Sequence, residues 1–523
     1  MKTLLSLLFG LLLGQLYAQS YTFHFEPISH ANWPGLQSYA LGEHNGEWLV
    51  VGGRQDGLHR RQPWASFDAA GRNVNIYVLN PTTGQKWSVS VDSLPQPLKD
   101  QWSSSNIQFE QHNGSLVLIG GYGITSTTNT HITFPVISRV HIAQAIAAVK
   151  NNGLGLKQCV QWRTDERMAV TGGQLLWHDN AFVLAGGHRF DGAYNPMGHA
   201  TYVQSYTHSV AFFSIQDSAN TFKVGGYTAH VDSNLLHRRD WNVLPIQKSQ
   251  TQSYLVGYSG VFQPQVNLPY TDGIGISADS VWLIPGFSQL LNQYHTASLG
   301  IYDSISDVFE AVFFGGIAQY TPTANGGFAS DLGVPFVKTV SAMRFGANGW
   351  SEHVLPVLMP GYRGSGAEFI PLPTAPFNAE GILQKSQLVG DSTAVGTIYG
   401  GIESTSPNVF FTNTGTQSSA HPGLLKVWMI TSGLGRFEPK EATPFAIQSI
   451  YTRQGSLEIE FHSVSTAPLT LRMYDMNGRL QYKHTYSKPE IGMYRVPWRL
   501  SGAGLVEIEQ EGLLAKKSIL NVR

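Results

Sequence analysis

The chain has 523 residues, room for a large β-fold with an appendage or for roughly two to four ordinary domains. Its 34 Lys and Arg against 35 Asp and Glu leave a net charge of −1, so the basic surplus that nucleic acid or an anionic membrane would call for is absent. Charged residues make up only 13%, and the single cysteine, Cys159, rules out an intramolecular disulfide or a Cys-based zinc cluster.

The first eighteen residues read as a signal peptide. Lys2 precedes the apolar stretch Leu4 to Leu13, which is too short for a span of ~20 residues, and Ala18 offers a small residue for cleavage. Tyr21 to Ile28 then alternates as a strand should.

From Leu49 onward one pattern recurs: a short apolar run ending in paired glycines. The copies end at Gly52-Gly53, Gly120-Gly121, Gly186-Gly187, Gly315-Gly316 and Gly400-Gly401, with a degraded copy in Gly257-Tyr258-Ser259-Gly260. Successive intervals are 68, 66, 71, 58 and 85 residues. The apolar run fits a strand buried on both faces, and the glycines allow a tight turn and close backbone approach. The first copy is the fullest. Ser38 to His44, Trp48 to Val51, Val74 to Leu79 and Lys86 to Val91 read as four strands, the last carrying Trp87. This unit resembles the kelch repeat, and six copies imply a six-bladed kelch-like β-propeller. The sixth copy has only three strands in line, at 367–371, 396–399 and 425–430, so the orphan strand at 21–28 is expected to supply its fourth and to close the ring. Val140 to Asn152 is Ala-rich and reads equally as a strand or a short helix.

Beyond Ser432 the character changes. Residues 433–440 read as a linker, and 441–523 as a second, smaller β-domain of sandwich type. Its alternating segment Leu469 to Tyr474 runs into Asp475-Met476-Asn477-Gly478-Arg479, an Asn-Gly hairpin turn. With Gly492-Met493-Tyr494 and the terminal Lys516-Lys517, these residues resemble the C-terminal sorting domain of type IX secretion in Bacteroidota. The resemblance implies passage to the cell surface or medium and a partner in the secretion machinery. A Tyr-Pro-Asn-Pro opening is lacking, with only Thr443-Pro444-Phe445 in its place.

The chain carries no His-Glu-x-x-His, no P-loop lysine motif and no Gly-x-Ser-x-Gly elbow. Galactose oxidase, also a kelch propeller, needs a Cys-crosslinked Tyr at its copper, and Cys159 has no matching context. No cofactor or metal is therefore expected, and no later segment is apolar for long enough to span a membrane. Polar residues gather where a kelch propeller would open its channel. Arg54, His188 and Arg189 follow glycine pairs, while Arg239, Asp240, His295 and Arg363 precede inner strands and Glu368 begins one. Such a rim suits a carboxylate or phosphate, since Arg can grip it with paired hydrogen bonds. The same residues suit internal ion pairing, above all His237-Arg238-Arg239-Asp240 beside Trp241. Two functions follow. One is a non-catalytic surface protein binding glycan or protein. The other, by likeness of fold, is a carbohydrate-active enzyme of the sialic-acid epimerase kind, with His295 or Glu368 as its acid–base group.

Overall fold

The computed structural model describes the chain outside residues 1–20, 432–446 and 523, and outside short stretches at 61–62, 196–200, 219–220, 250–252, 324–326, 454–455, 464–466, 476–478, 488–491, 499–501 and 511–512. The expected signal peptide, the linker and the Asn477-Gly478 turn thus lie outside the described residues. Two compact units divide the chain, Met1–Ser432 and Gly433–Arg523. Among the described residues no helix is long and apolar enough to cross a membrane.

The first unit is all-β in character and built on six sheets, five of four antiparallel strands and one of five strands. The first holds Ala40–His44, Glu47–Val51, Asn75–Leu79 and Lys86–Ser90; the second begins at Gln108–His112, the third at Gln174–His178 and the fourth at Asn242–Ile246. The fifth begins at Ser298–Asp303, against which Leu383–Gln384 adds a short parallel pairing. In the sixth, Ala367–Pro371, Ser392–Gly400 and Leu424–Ile430 are joined by the N-terminal strand Thr22–Ile28, which pairs from Thr22↔Ile430 to Ile28↔Leu424. The ambiguous Ala-rich segment resolves into both alternatives. Val136–His141 is a strand of the second sheet, and Ile142–Lys150 is a helix that buries Ile142, Ala145, Ile146 and Val149 against the first.

The second strand of each sheet ends in an apolar run because both of its faces are covered there. Each sheet packs on the next. Leu49 and Val51 meet Leu116 and Leu118; Val117 and Ile119 meet Phe182 and Leu184; Val183 and Ala185 meet Leu255. Val256 and Tyr258 then meet Phe309 and Phe313, and Val312 and Phe314 meet Ile398. Finally Tyr399 of the sixth sheet packs with Trp48 and Val50 of the first, and its hydroxyl donates to Pro34 O at 2.7 Å.

The glycine pairs latch one sheet to the next. The N–H of the second glycine donates to a carbonyl in the loop entering the following sheet: Gly53 to Ser104 (2.8 Å), Gly121 to Val170 (3.0 Å), Gly187 to Arg238 (2.8 Å), Gly316 to Arg363 (2.7 Å) and Gly401 to Leu36 (2.8 Å). Both glycines of each pair hold positive φ. In the degraded copy the turn falls on Ser259 (φ 51°) and Gly260 (φ 91°), whereas Gly257 lies within the strand Tyr254–Tyr258. Here the Ser259 hydroxyl replaces the amide, donating to Asn292 O at 3.0 Å.

The second unit contains a three-stranded sheet, in the order Ile447–Arg453, Ser456–Ser463, Gly492–Trp498, and a four-stranded sheet in the order Leu480–Tyr486, Leu469–Asp475, Gly502–Gln510, Leu513–Val522. Leu469, Leu471, Met473, Val506 and Ile508 are buried on one face of the latter.

Candidate functional site

The loops entering the six sheets converge on a neck. Each contributes one residue in the left-handed region: Ser38 (φ 53°), Asn106 (51°), Gly172 (66°), Asp240 (51°), His295 (46°) and Gly366 (65°). Backbone hydrogen bonds run from one to the next, from Asn106 N to Ser38 O (3.0 Å), Ser38 N to Gly366 O (2.9 Å), Gly366 N to His295 O (2.8 Å) and Asp240 N to Gly172 O (2.7 Å). Asn, Asp and Gly tolerate this conformation, whereas Ser38 and His295 hold it at a cost of about 1–2 kcal/mol each. Below the neck lies a cavity of about 760 Å³, lined by residues of the inner strands and bordered by Asp240 and His295.

The structure sorts the eight sequence-derived residues into two groups. Arg54, Arg189 and Arg363 are engaged by carboxylates. Arg54 is buried and binds Asp56 through Nε (2.7 Å) and Nη2 (2.5 Å). Arg189 bridges Asp191 (2.6 Å) and Glu166 (2.7 Å) at the surface. Arg363 holds Glu403 (2.8 Å), whose other oxygen meets His421 Nδ1 at 2.9 Å. His188 is buried, its Nδ1 2.6 Å from the Gln204 amide, and desolvation, helped by the charge of Arg239, holds its pKa well below the usual value.

Arg239, Asp240 and His295 come together at the neck. Arg239 lies 5.1 Å from the centre of the Phe262 ring, donates from Nε to the Tyr206 hydroxyl (3.3 Å) and from Nη1 to Asp240 Oδ2 (2.9 Å). Burial works against its charge, yet Asp240 and the hydroxyls of Tyr206 and Tyr194 more than offset this and raise its pKa. Its side chain stays 20% exposed, and Nη2 has no partner among the described residues. Asp240 Oδ1 is buried without a hydrogen bond and lies 3.7 Å from His295 Nδ1. Burial lowers the His295 pKa, with Asp240 opposing and Arg239 assisting. Glu368 sits deeper, on the wall of the same cavity.

Sequence reasoning named His237 but missed the other aromatic groups around Arg239. His59 contacts Tyr194 (4.9 Å) and Phe410 (5.4 Å), Tyr194 contacts Tyr202 (5.9 Å), and Tyr206 stacks on His237 at 3.7 Å. Desolvation drops the His59 pKa to about 4, so it is neutral at pH 7. These residues come from hairpins and loops following different glycine pairs, such as His188–Gly192 with Tyr202–Tyr206, and no local spacing announces their meeting. Arg238, the neighbour of Arg239, is wholly structural: buried, it donates to Leu235 O (2.9 Å) and Ser259 O (2.7 Å), binds Asp272, and lies 3.8 Å from the Tyr270 ring centre.

No family model and no curated protein matches the chain. Among solved structures, that of YjhT is similar over 75% of this chain and 99% of its own, with 10% identity and a TM-score of 0.41. A copper complex of a fungal alcohol oxidase, described as showing catalytic diversity among the AA5 family, is similar over 95% of this chain and 100% of its own, with 9% identity and a TM-score of 0.40.

Proposed function

We propose that the six sheets are the blades of a closed kelch-like β-propeller whose mouth binds an acidic glycan, with a carboxylate of the ligand seated on Arg239. The observation that carries this reading is the guanidinium itself. It is partly exposed, fixed on one side by Asp240 and Tyr206, and left with Nη2 unengaged among tyrosine and histidine rings. Charge-assisted hydrogen bonds to Nη2 would anchor the acid, and the rings would cover the apolar face of the sugar. Arg54, Arg189 and Arg363 are each paired with carboxylates and serve the scaffold.

A glycan array followed by calorimetry tests this. Arg239→Lys keeps the charge beside Asp240 but loses the planar fork, and is expected to weaken binding by about 2 kcal/mol, some thirtyfold. Arg189→Ala, at the exposed Asp191–Glu166 bridge, is expected to leave affinity unchanged. Equal affinity of Arg239→Lys and wild type would sink the proposal. The unpaired Asp240 Oδ1 near His295 favours a second reading, an enzyme of the sialic-acid epimerase kind that moves protons on the bound sugar. Anomeric exchange of the bound sugar, followed by NMR, separates the two: a binding protein leaves the rate at its uncatalysed value.

We further propose export by a type IX system, with cleavage near Ala18 and again between residues 433 and 441. Mass spectrometry of the extracellular protein checks this, and secreted material that retains Arg523 would count against the second cleavage.

A further inference from the structure

The cavity below the neck has a one-sided charge. Five carboxylates border it, Glu43, Glu110, Asp240, Glu368 and Glu380, together with His112 and His295, and no lysine or arginine is among its lining residues. Three of the acids are partly satisfied. Glu43 accepts from Gly46 N (2.6 Å), Asp240 from Arg239, and Glu380 from the Ser253 hydroxyl (3.2 Å) with His178 at 3.1 Å. Glu110 and Glu368 have no ion-pair or hydrogen-bonding partner for their carboxylates among the described residues. Burial alone pushes both up to about 8. A second feature is independent of the acids. Gln108, 3% exposed on the same wall, leaves Oε1 without a donor, and Asn106 Oδ1 beside the neck is likewise unpaired. Both of these unmet amide oxygens are acceptors, so the missing occupant brings a donor. Phe109, Trp177 and Phe377 add ring surface to the lining, which favours an organic cation. A bare metal ion fits poorly, since among the described residues no three His, Cys, Asp or Glu side chains group closely enough to hold one.

We propose that this cavity binds an organic cation carrying more than one ammonium group, a linear di- or polyamine, with Glu110 and Glu368 as its principal counter-ions and Gln108 Oε1 as a neutral acceptor. The site is separate from the anion anchor at Arg239 and does not depend on it. Binding converts two neutral carboxylic acids into carboxylates, each N–H···O contact to the ammonium replacing an O–H bond, and the two protons leave to the buffer. The other titratable groups that face them across the cavity are Tyr39, Glu43, Asp240, Glu380, His112 and His295, with no lysine or arginine among them.

The sign of the linkage is fixed. For Glu110 and Glu368 the folded pKa lies above the ordinary 4.5, so their contribution to stability is full below pH 4.5 and is lost as pH rises through about 8. A bound polyamine should restore what is lost.

Calorimetric titration of the whole chain with spermidine at pH 7, in two buffers of different protonation enthalpy, reads the proton release without any variant. The expected result is saturable binding with one to two protons released, and affinity rising about tenfold per pH unit for each proton released below pH 8. Glu110→Gln with Glu368→Gln should abolish the release and weaken binding by about tenfold or more, while its melting temperature at pH 8 equals or exceeds that of wild type. Spermidine binding without proton release, or unchanged in the double variant, would overturn the proposal. So would a parallel calcium titration showing the same pH dependence where spermidine shows none. Arg239→Lys should leave spermidine binding intact, which keeps this test apart from that of the anion site.

Discussion

Removal of residues 21–28 is expected to unfold the first unit or reduce it to an aggregating species, whereas truncation after Ser432 should leave its melting temperature nearly unchanged. The segment is an integral strand of the sixth sheet. Thr22 to Ile28 pairs along the whole of Leu424–Ile430, and Tyr21 and Phe23 are buried. Phe23 and Phe25 meet the Phe314 ring edge-on at 5.3 and 6.0 Å, so the strand also fastens the sixth sheet to the fifth. Loss of the two buried rings alone costs about 3–6 kcal/mol, and the ladder hydrogen bonds add to it. That approaches the whole stability of a typical domain, about 5–15 kcal/mol. The exposed edge of Leu424–Ile430 would then be open to pairing with other chains. Residues 433–523 form a separate compact unit. Thermal melts of the two truncations decide the matter, and equal losses would refute this account of the strand.

Much of the fold was legible because it is written in short-range patterns. Leu116 to Ile119 followed by Gly120-Gly121 reads as a doubly covered strand and its turn, and Tyr21 to Ile28 alternates with no sheet of its own to join. In the degraded fourth copy the turn falls on Ser259 and Gly260, and no residue type announces the φ of 51° at Ser259. At the candidate site, local sequence marks charge but not company. Arg54, Arg239 and Arg363 all sit near turns in the sequence, yet Arg54 and Arg363 close on Asp56 and Glu403 while Arg239 pairs with Asp240 beside the Tyr206 hydroxyl and the Phe262 ring. That difference depends on partners as far as 40 residues away for Arg363. Glu368 was found from its position entering an inner strand. Glu110 and Gln108 escaped notice, because an acid and an amide on an alternating strand look like ordinary solvent-facing residues until the surrounding sheets enclose them.

The glycine latch yields the other large effect. Gly120→Ala should destabilise the first unit by about 4 kcal/mol or more, through a steric conflict that no rotamer change can relieve. An added Cβ would lie 1.8 Å from Val170 O, 2.8 Å from Val170 C and 3.0 Å from Met168 O, all of them backbone atoms. Relief requires moving the loop that enters the third sheet, and that loop carries the Gly121 N to Val170 O bond and leads directly to Gly172 at the neck. Left-handed backbone alone does not account for so large a cost. Gly114, in the hairpin turn of the same sheet, has φ of 71° against 63° at Gly120, but nothing lies within 4 Å of its added Cβ. Gly114→Ala should therefore cost only the conformational term, about 1–2 kcal/mol. Chemical denaturation of the two variants separates the contributions, and the difference between them, about 2–3 kcal/mol or more, measures the close approach of the second and third sheets. Similar losses for both would mean that the loop yields easily and that the latch adds little. The larger loss at Gly120 would also displace Gly172 and with it Asp240, whose N–H donates to Gly172 O at 2.7 Å, so ligand binding at Arg239 should weaken in that variant even below its melting temperature.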